Sequence, residues 1–182
     1  MNRAVFLDRD GTMIAEVNYL SRPDQIKIYP TTRTGLKKLC DQGFLLFIVS
    51  NQSGVGRGYF TMADVDKVNE ALCNDLARDS VRIKKIYIAP EKPEDPSYGR
   101  KPLPQFLFDA RDEFGLDLSQ SFIIGDKLID LECGWNAGVK KSILVRTGYG
   151  AELERASVPR LANAIIADDL DQAAGLILDA SR

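Results

Sequence analysis

Histidine is absent from the chain. That removes the commonest general base and the commonest metal-ligating side chain, so any hydrolytic chemistry has to run on carboxylates. Cysteine is scarce and odd in number. Cys40, Cys73 and Cys133 stand singly, without Cys-x-x-Cys pairing, which argues for reduced thiols and against a disulfide framework or a zinc cluster. No apolar run approaches the length that spans a bilayer, and the N-terminus enters a strand-like segment without a signal-peptide pattern. A cytoplasmic location is therefore expected. Charge of one sign is lacking too. Lys and Arg number 24 and Asp and Glu 26, a net charge of −2, which gives no electrostatic footprint for nucleic acid. Internal repeats, low-complexity tracts and linkers are missing. The 182 residues, 45% hydrophobic and 27% charged, thus read as one domain over 1–182 with enough chain for a proper core.

Strand-like and helix-like segments alternate along the whole length. The apolar run Ala4–Leu7 reads as a short buried strand, Phe44–Val49 as the second, Ile83–Ala89 as the third, Phe122–Ile124 as the fourth and Ser142–Val145 as the fifth. Ala164–Ala167 is a short sixth. Helices are expected around Thr32–Gln42, after the cap Thr61 to about Arg78, from Leu103 to Phe114, from Asp130 to Ala137, and from the sixth strand to the end. The alternation predicts a Rossmann-like, doubly wound α/β fold, a parallel sheet with helices on both faces.

In such sheets ligand chemistry sits just beyond the carboxyl ends of the strands. The first strand runs straight into Asp8-Arg9-Asp10-Gly11-Thr12. Two carboxylates so close repel each other, and a hard divalent cation such as Mg²⁺ relieves that. The second strand delivers Ser50 and Asn51, the fourth delivers Asp126 after Gly125, and Lys101 lies in the loop after the third. Asp130 follows Asp126 by four residues. In isolation each piece has a bland explanation: Asp-x-Asp-Gly a turn, Ser50-Asn51 a turn cap, Asp126 a helix cap, Lys101 a solvated charge. Together they supply carboxylates, a hydroxyl and a cation at one sheet edge, which is what phosphoryl transfer requires.

Other phosphate motifs do not match. An EF-hand loop lacks its third acidic position and distal Glu, and no Gly-Lys-Ser/Thr follows the glycines of Gly54-Val55-Gly56-Arg57-Gly58. Tyr59 occupies the third glycine's place in the dinucleotide fingerprint. These glycines read instead as a tight loop exposing amides near the phosphate. A signalling receiver domain would end its third strand in an acceptor Asp, where this chain has Ala89-Pro90. A catalytically dead binding module sits poorly with both Asp8 and Asp10 being present.

These motifs, Asp8-Arg9-Asp10-Gly11-Thr12, Ser50, Lys101 and Gly125-Asp126-Lys127-x-x-Asp130, resemble the four motifs of the haloacid dehalogenase superfamily of phosphatases. The strings LDRDGT, SNQSGVGRGYF, PEDPSYGRKPLP, IIGDKLIDLECGWNAGV and LVRTGYG are similar to the branch that holds heptose-bisphosphate and histidinol-phosphate phosphatases. The resemblance implies a haloacid dehalogenase-like fold with a minimal cap. It implies Asp8 as nucleophile forming an aspartyl-phosphate, and Asp10 as acid and then base. Mg²⁺ would be held by the Asp8 carboxylate, the Asp10 main-chain carbonyl and Asp126. Ser50 and Lys101 would bind the phosphoryl oxygens, Asn51 and Arg100 would orient substrate, and Lys127 and Asp130 would support the site. Glu16 to Tyr19, in the loop between Gly11 and Pro30, are the further substrate contacts expected.

One departure stands out. Where that branch carries a zinc-binding Cys-x-His…Cys-x-Cys set, the aligned positions here are Ala89, Glu91, Ser97 and Gly99. None is a soft ligand, so no structural zinc is expected. The function expected is a Mg²⁺-dependent phosphomonoesterase acting on a small phosphorylated molecule. D-glycero-D-manno-heptose 1,7-bisphosphate, losing its 7-phosphate, leads; histidinol phosphate or another small phosphate ester is the alternative. A monomer, with no nucleic-acid or membrane partner, completes the expectation.

Overall fold

A computed structural model describes residues 1–181 of the chain. Six strands form one sheet: β1 (Ala4–Leu7), β2 (Leu45–Asn51), β3 (Ile83–Ala89), β4 (Phe122–Gly125), β5 (Lys141–Val145) and β6 (Ile165–Ala167). Their order is β3-β2-β1-β4-β5-β6, and every pairing is parallel. The chain winds outward from β1 in one direction, returns, and winds outward in the other from β4. The order reverses between β1 and β4, and in doubly wound sheets that switch point opens the ligand crevice.

The helices are α1 (Pro30–Asp41), α2 (Ser53–Gly56), α3 (Met62–Ala77), α4 (Gln105–Phe114), α5 (Leu128–Ala137), α6 (Gly150–Arg155) and α7 (Leu170–Ala180). Alternate strand residues face opposite sides. Val5, Leu7, Leu46, Ile48 and Ile124 pack with Leu36 and Leu39 of α1, Leu72 of α3 and Ile177 of α7. Ala4, Phe6, Phe47, Val49 and Ile123 pack on the other side with Leu107 and Ala110 of α4 and Cys133 and Ala137 of α5. Covering both faces makes these strands continuous apolar runs instead of alternating ones.

Several boundaries differ from the sequence reading. Helix α1 begins two residues earlier, at Pro30, because proline fits the first helical turn, where an N–H has no intrahelical partner. The glycine-rich stretch after β2 is not wholly a loop: Ser53–Gly56 makes one helical turn, α2. Helix α6 and a 3₁₀ turn over Pro159–Asn163 fill the stretch before β6. The loop after β1 folds back on itself. Ala15 N–H donates to the Lys27 carbonyl at 2.8 Å and Tyr29 N–H to the Met13 carbonyl at 3.2 Å. Met13, Ile14 and Leu20 are buried beneath it, which holds Glu16 to Tyr19 above the sheet edge.

Candidate active site

Sheet order brings the carboxyl ends of β2, β1 and β4 side by side. Asp8 leaves β1, and its N–H donates to the Ile124 carbonyl of β4 at 3.0 Å. A cavity of about 340 Å³ opens there, with Asp8, Asp10, Glu16, Tyr19, Ser50, Asn51, Gln52, Lys101, Lys127, Asp130 and Tyr149 among the residues around it.

Lys101 is the centre of charge compensation. Its Nζ donates to Asp8 Oδ1 at 2.6 Å and to the Val49 carbonyl at 2.6 Å, and lies 2.7 Å from Asp130 Oδ1. Burial alone would lower this ammonium, but Asp130 and Asp8 outweigh burial and hold it above its ordinary range. Asn51 fixes the lysine backbone from both sides: its Nδ2 donates to the Lys101 carbonyl at 3.1 Å, and Lys101 N–H donates to its Oδ1 at 3.0 Å. The Asn51 amide is thereby committed to placing Lys101. Asp130 takes the Lys127 N–H on Oδ2 at 3.0 Å, closing a capping box at the start of α5.

Asp126 is wholly buried. Its Oδ2 accepts the Tyr149 N–H at 2.9 Å, whereas Oδ1 is buried with no hydrogen-bond partner among the described residues. Burial, and then the charge of Asp8, push this carboxyl up to about 8 in the metal-free protein. Gly11 and Gly148 close in on it, with φ of +87° and +55°. A Cβ on either would run into the Asp126 carboxylate. One carboxylate oxygen each from Asp8, Asp126 and Asp130 lies within 4.8 Å of the others. An orphaned buried oxygen in an all-oxygen cluster fits a hard divalent cation such as Mg²⁺. The Asp10 carboxylate is not in this cluster. It is held by Arg9 and Gln52 instead, leaving the Asp10 main-chain carbonyl as the atom it has to offer a metal.

Of the remaining expected residues, Ser50 lines the cavity and the others fall at its rim or beyond it. Ser50 is buried, and its Oγ accepts Gln52 Nε2 at 2.8 Å. Lys127 Nζ pairs with Glu16 Oε2 at 3.1 Å and lies 5.0 Å from the centre of the Tyr149 ring. Burial raises the Glu16 carboxyl, with Lys127 opposing. Tyr19, at φ +56°, sets its ring edge-to-face on Tyr59, 4.6 Å between centres. Arg100 is not brought to this cavity. It lines a neighbouring hollow with Pro93, Asp95 and Lys101, where its Nη1 donates to the Glu91 carbonyl at 2.9 Å.

At the positions aligned with zinc ligands, Ser97 Oγ donates to Glu91 Oε2 at 2.8 Å and accepts the Arg100 N–H at 3.0 Å. Ala89 ends β3 with no ligating atom. This donor set does not fit zinc, because its one hydroxyl and one carboxylate are spent on each other.

Residue-by-residue reading of the sequence assigned no role to Arg9, Gln52, Gly148 or Tyr149. Gly148 and Tyr149 belong to the string LVRTGYG, whose place beyond β5 was the available signal.

Residues 98–173 match the HAD-hydrolase-like family model, and residues 3–130 match the model of the polynucleotide kinase 3 phosphatase family. The chain is 34% identical over 154 residues to D-glycero-alpha-D-manno-heptose-1,7-bisphosphate 7-phosphatase of Photorhabdus laumondii, covering 81% of this chain and 84% of that one. It is 36% identical over 152 residues to the beta-anomer enzyme of Escherichia coli K12, covering 80% of each. The structure of D,D-heptose 1,7-bisphosphate phosphatase from B. bronchiseptica, complexed with magnesium and phosphate, superposes with a TM-score of 0.88 at 27% identity, over 98% of this chain and 99% of that one. The chain belongs to the haloacid dehalogenase-like phosphatases, in the family of the heptose-1,7-bisphosphate 7-phosphatases.

Proposed function

We propose that the chain removes the 7-phosphate of D-glycero-D-manno-heptose 1,7-bisphosphate through an aspartyl-phosphate on Asp8. One observation carries the mechanism. Asp8 stands at the sheet's switch point, with Lys101 on one oxygen and the Asp126 cluster beside it, so the nucleophile and the groups that neutralise phosphate converge. The substrate comes from the relatives' names, which include both anomers.

Asp8 attacks phosphorus as the sugar oxygen leaves, and Asp10 gives that oxygen a proton. Asp10 then takes a proton from water as the water oxygen bonds to phosphorus and the Asp8–phosphorus bond breaks. Phosphate leaves, and both carboxyl groups return to their starting state. Ser50 and Lys101 bind the non-bridging oxygens throughout. Asp8, Asp126 and the Asp10 main-chain carbonyl would hold Mg²⁺, which when bound neutralises the phosphoryl charge and the repulsion among the acids. Glu16, Tyr19 and Lys127 shape the rim against the sugar.

The test is Mg²⁺-dependent phosphate release, as kcat/KM, from each anomer of heptose 1,7-bisphosphate and from histidinol phosphate. Preference for a bisphosphate is expected. Preference for histidinol phosphate would overturn the substrate assignment and leave the phosphatase chemistry standing.

A further inference from the structure

A general acid works only if its proton points at the leaving oxygen, yet a carboxylate turns freely about its last bond. Asp10 is only 15% exposed and lies two residues from Asp8. Turned toward the Asp8, Asp126 and Asp130 cluster, it would become one more metal-facing carboxylate and be lost to acid catalysis. Something must hold it aside.

Arg9 does this from a position with no other evident purpose. Its side chain is 1% exposed, and a guanidinium so buried needs partners. It has two. Nε donates to Asp10 Oδ2 at 3.1 Å, and Nη2 donates to Oδ2 at 2.9 Å and to Oδ1 at 3.1 Å. Nη1 donates to Asn69 Oδ1 at 2.8 Å, which anchors the fork on the buried face of α3. Gln52 closes on the same carboxylate from the turn between β2 and α2. Its Nε2 donates to Asp10 Oδ2 at 2.8 Å and to Ser50 Oγ at 2.8 Å.

The donors are unequally shared. Among the described residues, Oδ2 accepts from Arg9 Nε, Arg9 Nη2 and Gln52, whereas Oδ1 accepts from Arg9 Nη2 alone. We infer that Arg9 and Gln52 are the positioning residues of the acid–base carboxylate, and that Oδ1 is the oxygen that exchanges the proton. Gln52 also ties the orientation of Asp10 to that of Ser50, so the phosphate-facing hydroxyl and the acid are set by one amide. The inference rests on the reading of Asp10 as acid and base.

The deciding experiment varies the leaving group. A misaimed acid slows departure of a poor leaving group and leaves a good one nearly untouched. Because kcat/KM reports only the steps up to phosphoenzyme formation, it excludes the later attack of water. Gln52→Leu, Arg9→Met and Arg9→Lys are compared with the natural chain on p-nitrophenyl phosphate, phenyl phosphate and an alkyl phosphate, with Mg²⁺ present. For Gln52→Leu and Arg9→Met, kcat/KM on the alkyl ester should fall about 10²-fold relative to p-nitrophenyl phosphate. Arg9→Lys keeps the charge without the fork and should show the same selective loss. An equal fall on all three esters, or no fall, would overturn the inference. Gln52→Leu decides the matter by itself if buried Arg9 tolerates no change. A natural chain that releases phosphate from none of the esters would instead sink the phosphatase reading itself.

Discussion

Lys101 shows how much one side chain carries here. It is 2% exposed and stands between Asp8 and Asp130, themselves 8% and 1% exposed. Removing one partner from a buried ion pair leaves the other charge uncompensated, a cost of about 3–5 kcal/mol. Lys101→Met should therefore lose about 3 kcal/mol of unfolding free energy in urea with EDTA present, and lose phosphate release as well. A change below about 1 kcal/mol would mean the two carboxylates find other compensation. Asp8→Asn is the complementary change, since the amide keeps the shape but is a poor nucleophile. We expect turnover to fall about 10⁴-fold with the fold retained, because Lys101 keeps Asp130 as its ion-pair partner; substantial residual activity would sink the covalent mechanism. Cys133 makes a third case. It is wholly buried, and burial pushes its thiol up to about 12. Iodoacetamide at neutral pH should spare Cys133 in the folded protein, while the half-buried Cys40 and Cys73 are alkylated before it.

At the level of elements, the metal cluster depends on how closely two turns approach it. The turn after β1 supplies Gly11, and the turn between β5 and α6 supplies Gly148 and the Tyr149 N–H that holds Asp126. Gly148→Ala meets both a positive φ and the Asp126 carboxylate. It should raise the Mg²⁺ concentration for half-activation by about tenfold or more. Gly175→Ala in α7 meets nothing within 4 Å and should leave that concentration unchanged. Equal responses would mean the turn does not set the metal site. The same elements show what the sequence made legible. The strands buried on both faces, β1 and β4, leave unbroken apolar runs, the edge strand β3 shows its apolar residues around Lys84 and Lys85, and Asp8, Ser50 and Asp126 followed from their strand ends. Helices α2 and α6 span only 4 and 6 residues, too few for an amphipathic stripe to repeat. The fork of Arg9 was illegible for a different reason: arginine in a polar loop ordinarily faces water, and its partner Asn69 lies 60 residues away. The place of Arg100 was illegible too, because adjacency to Lys101 says nothing about which side of the loop a guanidinium leaves, and here it lines the neighbouring hollow.

For the molecule as a whole, the cluster at the switch point links metal, proton and fold. In the metal-free protein burial and Asp8 raise the Asp126 carboxyl to about 8, against about 3.9 for an unfolded aspartate. Between these values the native state holds a proton that the unfolded chain has released, so stability declines as pH rises through the window. Asp130 is raised as well, by burial against the pull of Lys101, and adds to the same slope. A cation bound at Asp8 and Asp126 displaces that proton, so binding strengthens as pH rises toward 8. The rise in melting temperature on adding Mg²⁺ should therefore be larger at about pH 8.5 than at about pH 6. Asp126→Asn should remove most of that difference, because the amide neither titrates nor neutralises the ion. A Mg²⁺ shift equal at both pH values in the natural chain would place the ion away from Asp126. A shift that survives unchanged in Asp126→Asn would do the same, and would move the metal toward Asp8 and Asp130 alone.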